Sequence, residues 1–170
     1  MEILYAPWRN KYVHKVLRGK SEDTLKEDCV FCTQLATNND EKHFIFKRFK
    51  HHAIMLNLYP YNAGHLLIVS LEHKNCLKDI SKQARAELIE LTHESIIILQ
   101  NVLEAQGINV GLNLGKAGGA GIPSHLHQHV LPRWLGDTNF LPLLAQTKQI
   151  SVDLQELYKK LKPHFEALQI

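Results

Sequence analysis

A chain of 170 residues is long enough for one domain with a real core, and 45% hydrophobic with 22% charged residues is ordinary for a globular protein. A formal charge of +3, from 20 Lys+Arg against 17 Asp+Glu, argues against a nucleic-acid binder while suiting a small anionic ligand. No apolar run reaches membrane-spanning length, the start MEILYAPWRNKY lacks signal-peptide features, and the 3 cysteines make no secreted disulfide framework, so a cytoplasmic protein is expected, with no membrane partner.

In chain order, the segment to about residue 28 reads as irregular, with the charged stretch RGKSEDTLKED. Three apolar runs of strand length follow: HFIFK (43–47), HAIMLN (52–57) and HLLIVS (65–70), the last two separated by the turn residues of YPYNAG. Residues 81–106 carry the longest helical pattern, in which Ala84, Leu88, Leu91, Ser95, Ile98 and Val102 recur at three- and four-residue steps. Ser81 can cap its start and Gly107 its end. Two further strands, INVGLNL (108–114) and HLHQHVL (125–131), flank the loop GKAGGAGIPS, and a second amphipathic stretch from Ser151 to Leu161 is interrupted at Pro163. The order β-β-β-α-β-β-α with hairpin-length connections predicts an α+β domain built on an antiparallel sheet of about five strands, with one long helix and a C-terminal helix.

His125, His127 and His129 stand at every second position of a predicted strand and so share one face. Such a face can be a polar solvent face, but Thr, Lys or Ser fill those far more often. Neutral imidazole is a nucleophile, a proton carrier near pH 7 and a zinc ligand, and its two nitrogens let one ring orient the next. Immediately upstream, NLGKAGGAGIPS has glycines at 115, 118, 119 and 121, a backbone able to turn several N–H groups toward a phosphate. It is not a Walker loop, and alone it reads equally as a flexible hairpin. Beside a histidine row, phosphate chemistry becomes the better explanation. Arg133 can reach phosphate or make a surface ion pair. Cys29 and Cys32 are half a metal site by spacing, with a buried apolar pair or a redox dithiol as alternatives.

The segment HLHQHVL fits the His-φ-His-φ-His-φ-φ signature of the histidine triad family of nucleotide-binding proteins, with Gln128 polar at one φ position. APWRNKYV, CVFC, NLYPYNAGHLLIVSLEH, GLNLGKAGGAGIP and PRWLGDTNF resemble, in order, its diadenosine tetraphosphate phosphorylase-like branch, over roughly residues 4–150. The resemblance implies one domain over 1–170, with a core at about 29–140, an N-terminal arm at 1–28 and a C-terminal helical segment at 150–168. It also implies a nucleotidyl-histidine intermediate on the middle histidine, His127, with His129 acting through the phosphate and leaving group and His65 supporting the triad. Asn57 then matches the ribose-holding position, although a turn Asn capping a strand end reads the same way. Asn113 matches the polar residue near the α-phosphate, and Gly119, Ala120, Gly121 and Ser124 match the phosphate-binding loop. Gly121 stands about where relatives carry Ser, so any role of that hydroxyl falls to backbone N–H groups or Ser124.

Triad proteins with this CxxC take two histidines as further zinc ligands, which here are His73 and His125. A structural zinc on Cys29, Cys32, His73 and His125 is therefore implied, as is a homodimer. The implied activity is transfer or hydrolysis on an adenine nucleotide or dinucleoside polyphosphate, with inorganic phosphate as co-substrate, helped by Lys116 or Arg133. A zinc-stabilised nucleotide-binding protein with little turnover and a plain metalloprotein are the competing readings. Cys76 reads as a core or surface thiol. His51 and His52 form a hairpin shoulder, and His14, His43, His93 and His164 are expected to face solvent.

Overall fold

The computed structural model describes residues 29–145, 150 and 152–170. The N-terminal arm, with APWRNKYV and His14, lies outside the described residues. The chain opens with α1 (Val30–Ala36), followed by β1 (Ile45–Arg48), β2 (His52–Leu56) and β3 (Leu66–Ser70). Next come α2 (Lys82–Leu103), β4 (Gly107–Leu112), β5 (His127–Arg133), a short α3 (Leu141–Leu144) and α4 (Leu154–Glu166). The strands form one sheet in the order β1-β2-β3-β5-β4, with every neighbouring pair antiparallel. The predicted α+β class and five-stranded antiparallel sheet are both present.

Every residue of β2 and β3 is buried, because both faces of the sheet are covered. On one face Phe46, Ile54, Leu56, Leu66, Ile68 and Val130 meet Leu88, Leu91, Ile98 and Leu99 of α2 and Leu157, Tyr158, Leu161 and Phe165 of α4. Each such side chain contributes about 1.5–3 kcal/mol through removal from water. The opposite face packs Ile45, Ala53, Met55, Leu67 and Val69 against Cys29 and Phe31. The register Leu67↔His129 and Val69↔His127 extends this second face to the histidines.

Several boundaries differ from expectation. α1 was not anticipated: at 7 residues, with no capping side chain, it carries little periodicity and is held by burial of Phe31 and Gln34. α2 begins as expected, with Ser81 Oγ accepting the Ala84 N–H, but ends at Leu103 because Glu104 turns left-handed at φ 54. The Trp134 indole donates to the carbonyls of Leu103 and Glu104, and Gly107 becomes the first residue of β4. α4, capped by Asp153, runs through Pro163 to Glu166. The Pro163 ring lies on the exposed side while Leu161 and Phe165 anchor the buried side, so the missing hydrogen bond is on the wet face. Tyr158 fixes the helix to β1 by donating its hydroxyl to the Ile45 carbonyl at 2.8 Å, and the Lys47 ammonium donates to the carbonyls of Glu166 and Leu168 at its end.

Candidate active site

The site forms where β3, β5 and the turn before β3 meet. His65 is fully buried directly after Gly64, whose φ of +75° suits glycine; a Cβ there would stand 2.6 Å from Leu103 Cδ1. Asn62 donates to the Pro132 carbonyl at 3.0 Å and to Asp137 Oδ2 at 2.8 Å, which ties this turn to the end of β5.

Hydrogen-bond direction follows from the partners. The Tyr61 backbone N–H donates to His65 Nδ1 at 3.0 Å, with the Asn57 amide 3.3 Å from the same nitrogen, so the His65 proton sits on Nε2. That Nε2–H donates to His129 Nδ1 at 2.9 Å. His129 therefore carries its own proton on Nε2, a buried atom with no partner among the described residues. Independently, His127 Nδ1–H donates to the His125 carbonyl at 2.7 Å, which leaves the lone pair of His127 on Nε2. The His127 and His129 rings lie 5.1 Å apart, and Phe31 packs against His127 at 5.0 Å.

Burial disfavours the charged ring throughout. It pushes His65 down to about 3 and His129 down to about 4, with neighbouring histidines adding to both shifts. His127 is also lowered by burial, partly offset by its backbone hydrogen bond. All three are neutral at pH 7.

His125, which lies two residues before β5, has its ring among a different set of donors. Cys29, Cys32, His73 and His125 place one ligand atom each within 4.8 Å of one another. Cys29 Sγ lies 3.3 Å and Cys32 Sγ 3.5 Å from His125 Nδ1, and Cys32 Sγ lies 3.1 Å from His73 Nδ1. A tetrahedral zinc with bonds of about 2.3 Å to sulfur and 2.0 Å to nitrogen needs S···N edges near 3.5 Å, so the donor set fits. His125 Nε2–H donates to the Ser70 carbonyl at 2.7 Å, which points the Nδ1 lone pair at the thiols as a metal requires.

The glycine loop leaves β4 and returns to β5. Asn113 follows Leu112, the partner of Gln128, and so stands level with His127. Gly115 and Gly119 have φ of +69° and +83°, with open space where side chains would be, and Gly121 is likewise open. Ala120 is buried, Lys116 is exposed, and Ser124 Oγ is buried without a partner among the described residues.

A HIT domain profile matches residues 38–134, more than half of the chain. The chain belongs to the HIT family. It is 35% identical over 150 residues, 88% of this chain and 77% of the relative, to an AP-4-A phosphorylase of Mycobacterium tuberculosis. It is 29% identical over 93 residues, 55% of this chain and 50% of the relative, to the asymmetrical bis(5'-nucleosyl)-tetraphosphatase of Schizosaccharomyces pombe. A Zn-bound histidine triad family protein from Mycobacterium smegmatis shares the fold with a TM-score of 0.67 at 23% identity, covering 84% of this chain and 96% of that one.

Within this HIT domain some expectations need correction. The Arg133 guanidinium is held by Asp137 at 2.6 and 2.9 Å and by Asn109 at 2.8 Å, so the ion-pair reading of Arg133 is the one present. His52 is no mere shoulder: it is buried, with Nδ1 3.1 Å from Glu87 Oε1, and the His51 N–H donates to the same oxygen. His43 is half-buried, whereas His93 and His164 are exposed as expected, and Cys76 is a half-buried free thiol. Sequence reasoning missed Phe31 and Tyr61. Phe31 sits between the two cysteines, and Tyr61 lies in a stretch whose Pro, Asn and Gly signal a turn and whose family match gives Tyr61 no role.

Proposed function

We propose that this HIT protein is a nucleotidyl-transfer enzyme that cleaves dinucleoside polyphosphates, with His127 as the nucleophile. The observation that carries the reading is the lone pair of a neutral His127 at Nε2 beside the unpartnered Nε2–H of His129. Attack of that lone pair on an α-phosphorus forms an N–P bond while the α–β bridging P–O bond breaks. The departing nucleotide takes the electron pair, and the Nε2–H of His129 meets the growing charge. His65 holds His129 in the tautomer this needs. The Gly121 backbone N–H, with the Ser124 hydroxyl and Asn113, receives the phosphate oxygens; the N–H groups of Gly119 and Ala120 donate to the carbonyls of Lys116 and Gly115 and shape the loop instead. Asn57 keeps one amide hydrogen and one oxygen lone pair beyond its contacts with His65 and Tyr59, enough for a ribose hydroxyl.

In the second half-reaction inorganic phosphate attacks the same phosphorus and the N–P electron pair returns to His127. The identity to the mycobacterial phosphorylase supports phosphate as acceptor, with the exposed Lys116 available to it. Diadenosine tetraphosphate then yields ATP and ADP. Chromatography of products with and without phosphate tests this. ATP and AMP, formed at a rate indifferent to phosphate, would assign hydrolysis, the kind of activity named for the fission-yeast relative.

At the Cys29, Cys32, His73 and His125 cluster the ion proposed is a structural zinc, which supplies cross-linking and no reaction step. The chain acts as a single cytoplasmic domain and a homodimer; the exposed Val110 on edge strand β4 and Ile89 and Ile97 on α2 support an interface there. Among the described residues no helix is long and apolar enough to cross a membrane.

A further inference from the structure

The Tyr61 side chain has no part in the scheme above, yet its ring touches both His129, which meets the leaving group, and His65, which holds His129 in place. Its ring lies 4.8 Å from that of His65 and 5.9 Å from that of His129, nearly parallel to the latter at 19°. The residue is 55% exposed, so one part of the ring covers the imidazoles while the rest meets water. Its backbone N–H is the donor that fixes the His65 tautomer. A side chain needed only for the turn would not have to be aromatic. This one has its ring against both partners of the His65–His129 hydrogen bond and is itself half exposed to water. An imidazole tautomer is held only as long as its acceptor nitrogen keeps its donor; water reaching His129 Nδ1 would let the proton move there and leave Nε2 without one.

We propose that Tyr61 is a positioning residue whose ring seals the His65–His129 hydrogen bond and so keeps an N–H on His129 Nε2 aimed at the leaving group. The inference rests on the nucleotidyl-histidine reading. The ring acts on the bond to the leaving group and not on nucleotide binding. Its loss is therefore felt in proportion to how much charge the leaving oxygen must bear, because a poor leaving group needs the hydrogen bond more than a good one.

The test compares the wild type with Tyr61→Ala and Tyr61→Phe on two aryl esters of AMP, the 4-nitrophenyl ester and the plain phenyl ester, with aryl alcohol release as the readout. Expected for Tyr61→Ala is a fall in kcat of about 30-fold or more on the phenyl ester, within the range that a small misplacement costs. On the 4-nitrophenyl ester the fall stays within about threefold, with KM unchanged on both, and Tyr61→Phe behaves as wild type. Equal losses on both esters, or a change confined to KM, would overturn the role. Because Tyr61 is half exposed, the fold is expected to survive; Tyr61→Leu, which keeps bulk without the ring face, gives the same contrast in weaker form. Mass spectrometry of quenched wild type separates the two readings. If no adenylyl group appears on His127, the underlying mechanism fails; if it appears and the ester contrast is absent, only the Tyr61 role fails.

Discussion

The carbonyl of His125 accepts the Nδ1–H of His127 at 2.7 Å, while the His125 ring lies among the metal donors. One residue thus joins the Cys/His cluster to the proposed nucleophile: its side chain is held by α1 and Ser70, and its backbone sets the tautomer two residues on. The Cys29, Cys32, His73 and His125 cluster is part of what aims His127.

From this arrangement, the native protein is expected to carry one metal ion per chain, measurable by elemental analysis without added chelator. Cys29→Ser should abolish stoichiometric binding and lower Tm by about 10 °C or more, since structural zinc couples several kcal/mol to folding and each kcal/mol is worth about 2–4 °C in a chain this size. The loss in Tm should outweigh the effect on the chemical step measured below the melting range. An unchanged Tm in the metal-free variant would remove the structural role.

For His127→Ala the expected outcome is the reverse. Turnover falls by roughly four orders of magnitude or more, as when a covalent nucleophile is removed, while metal content stays and nucleotide binding measured by calorimetry is largely kept. Near-normal turnover in the purified variant would end the mechanism. Retained metal also separates this enzyme reading from one in which the histidine row exists to bind metal.

The fold and the histidine face were largely legible because both are periodic. Alternation in HLHQHVL and three- and four-residue steps in α2 are local signals that packing reinforces. What the sequence concealed depends on contacts between distant segments. α2 ends at Leu103 because Trp134, some thirty residues on, occupies its last carbonyls. Arg133 pairs with Asp137 only four positions on, but its guanidinium is also held by Asn109, 24 positions away on the neighbouring strand. The donors of the metal cluster came from the family resemblance, since Cys32 and His73 are 41 positions apart and meet only through the sheet.

Gly64 should resist substitution. Gly64→Ala forces a side chain into the left-handed region, which costs about 1–2 kcal/mol, and drives a methyl to within 2.6 Å of Leu103 Cδ1. A total loss of roughly 2 kcal/mol or more, read by urea unfolding, is expected, with turnover also reduced because His65 is the next residue. Unaltered stability would show that the turn has another accessible geometry.

Glu87→Ala should destabilise although Glu87 lies on α2, away from the histidine face. The carboxylate accepts both the His51 N–H and His52 Nδ1, and its removal leaves two poorly hydrated donors at about 1–3 kcal/mol each. Glu87→Gln keeps an acceptor oxygen and should lose less. Equal losses from the two variants, in the same unfolding measurement, would assign the effect to packing of the longer side chain.

The last expectation concerns acid. His65 is pushed down to about 3 and His129 to about 4, while His127 and His52 are lowered, burial being the first cause in each. These histidines take up protons in the unfolded chain near 6.5 but not in the folded one, so between those limits the unfolded state binds more protons and stability falls with falling pH. Stability is therefore full above about pH 6.5 and declines as pH drops toward the folded values; His65 alone accounts for about 2 kcal/mol by pH 5. Urea midpoints from pH 8 to pH 5 should be flat above 6.5 and drop below it, and His65→Gln should flatten the drop. The same neutral rings keep the nucleophile unprotonated, so kcat/KM measured inside the folded range should hold below pH 6.5, where an ordinary histidine would already be charged. A plain inflection at 6.5 in the rate, with stability unchanged, would mean that these rings are wet and that the relay from His65 to His129 is open to solvent.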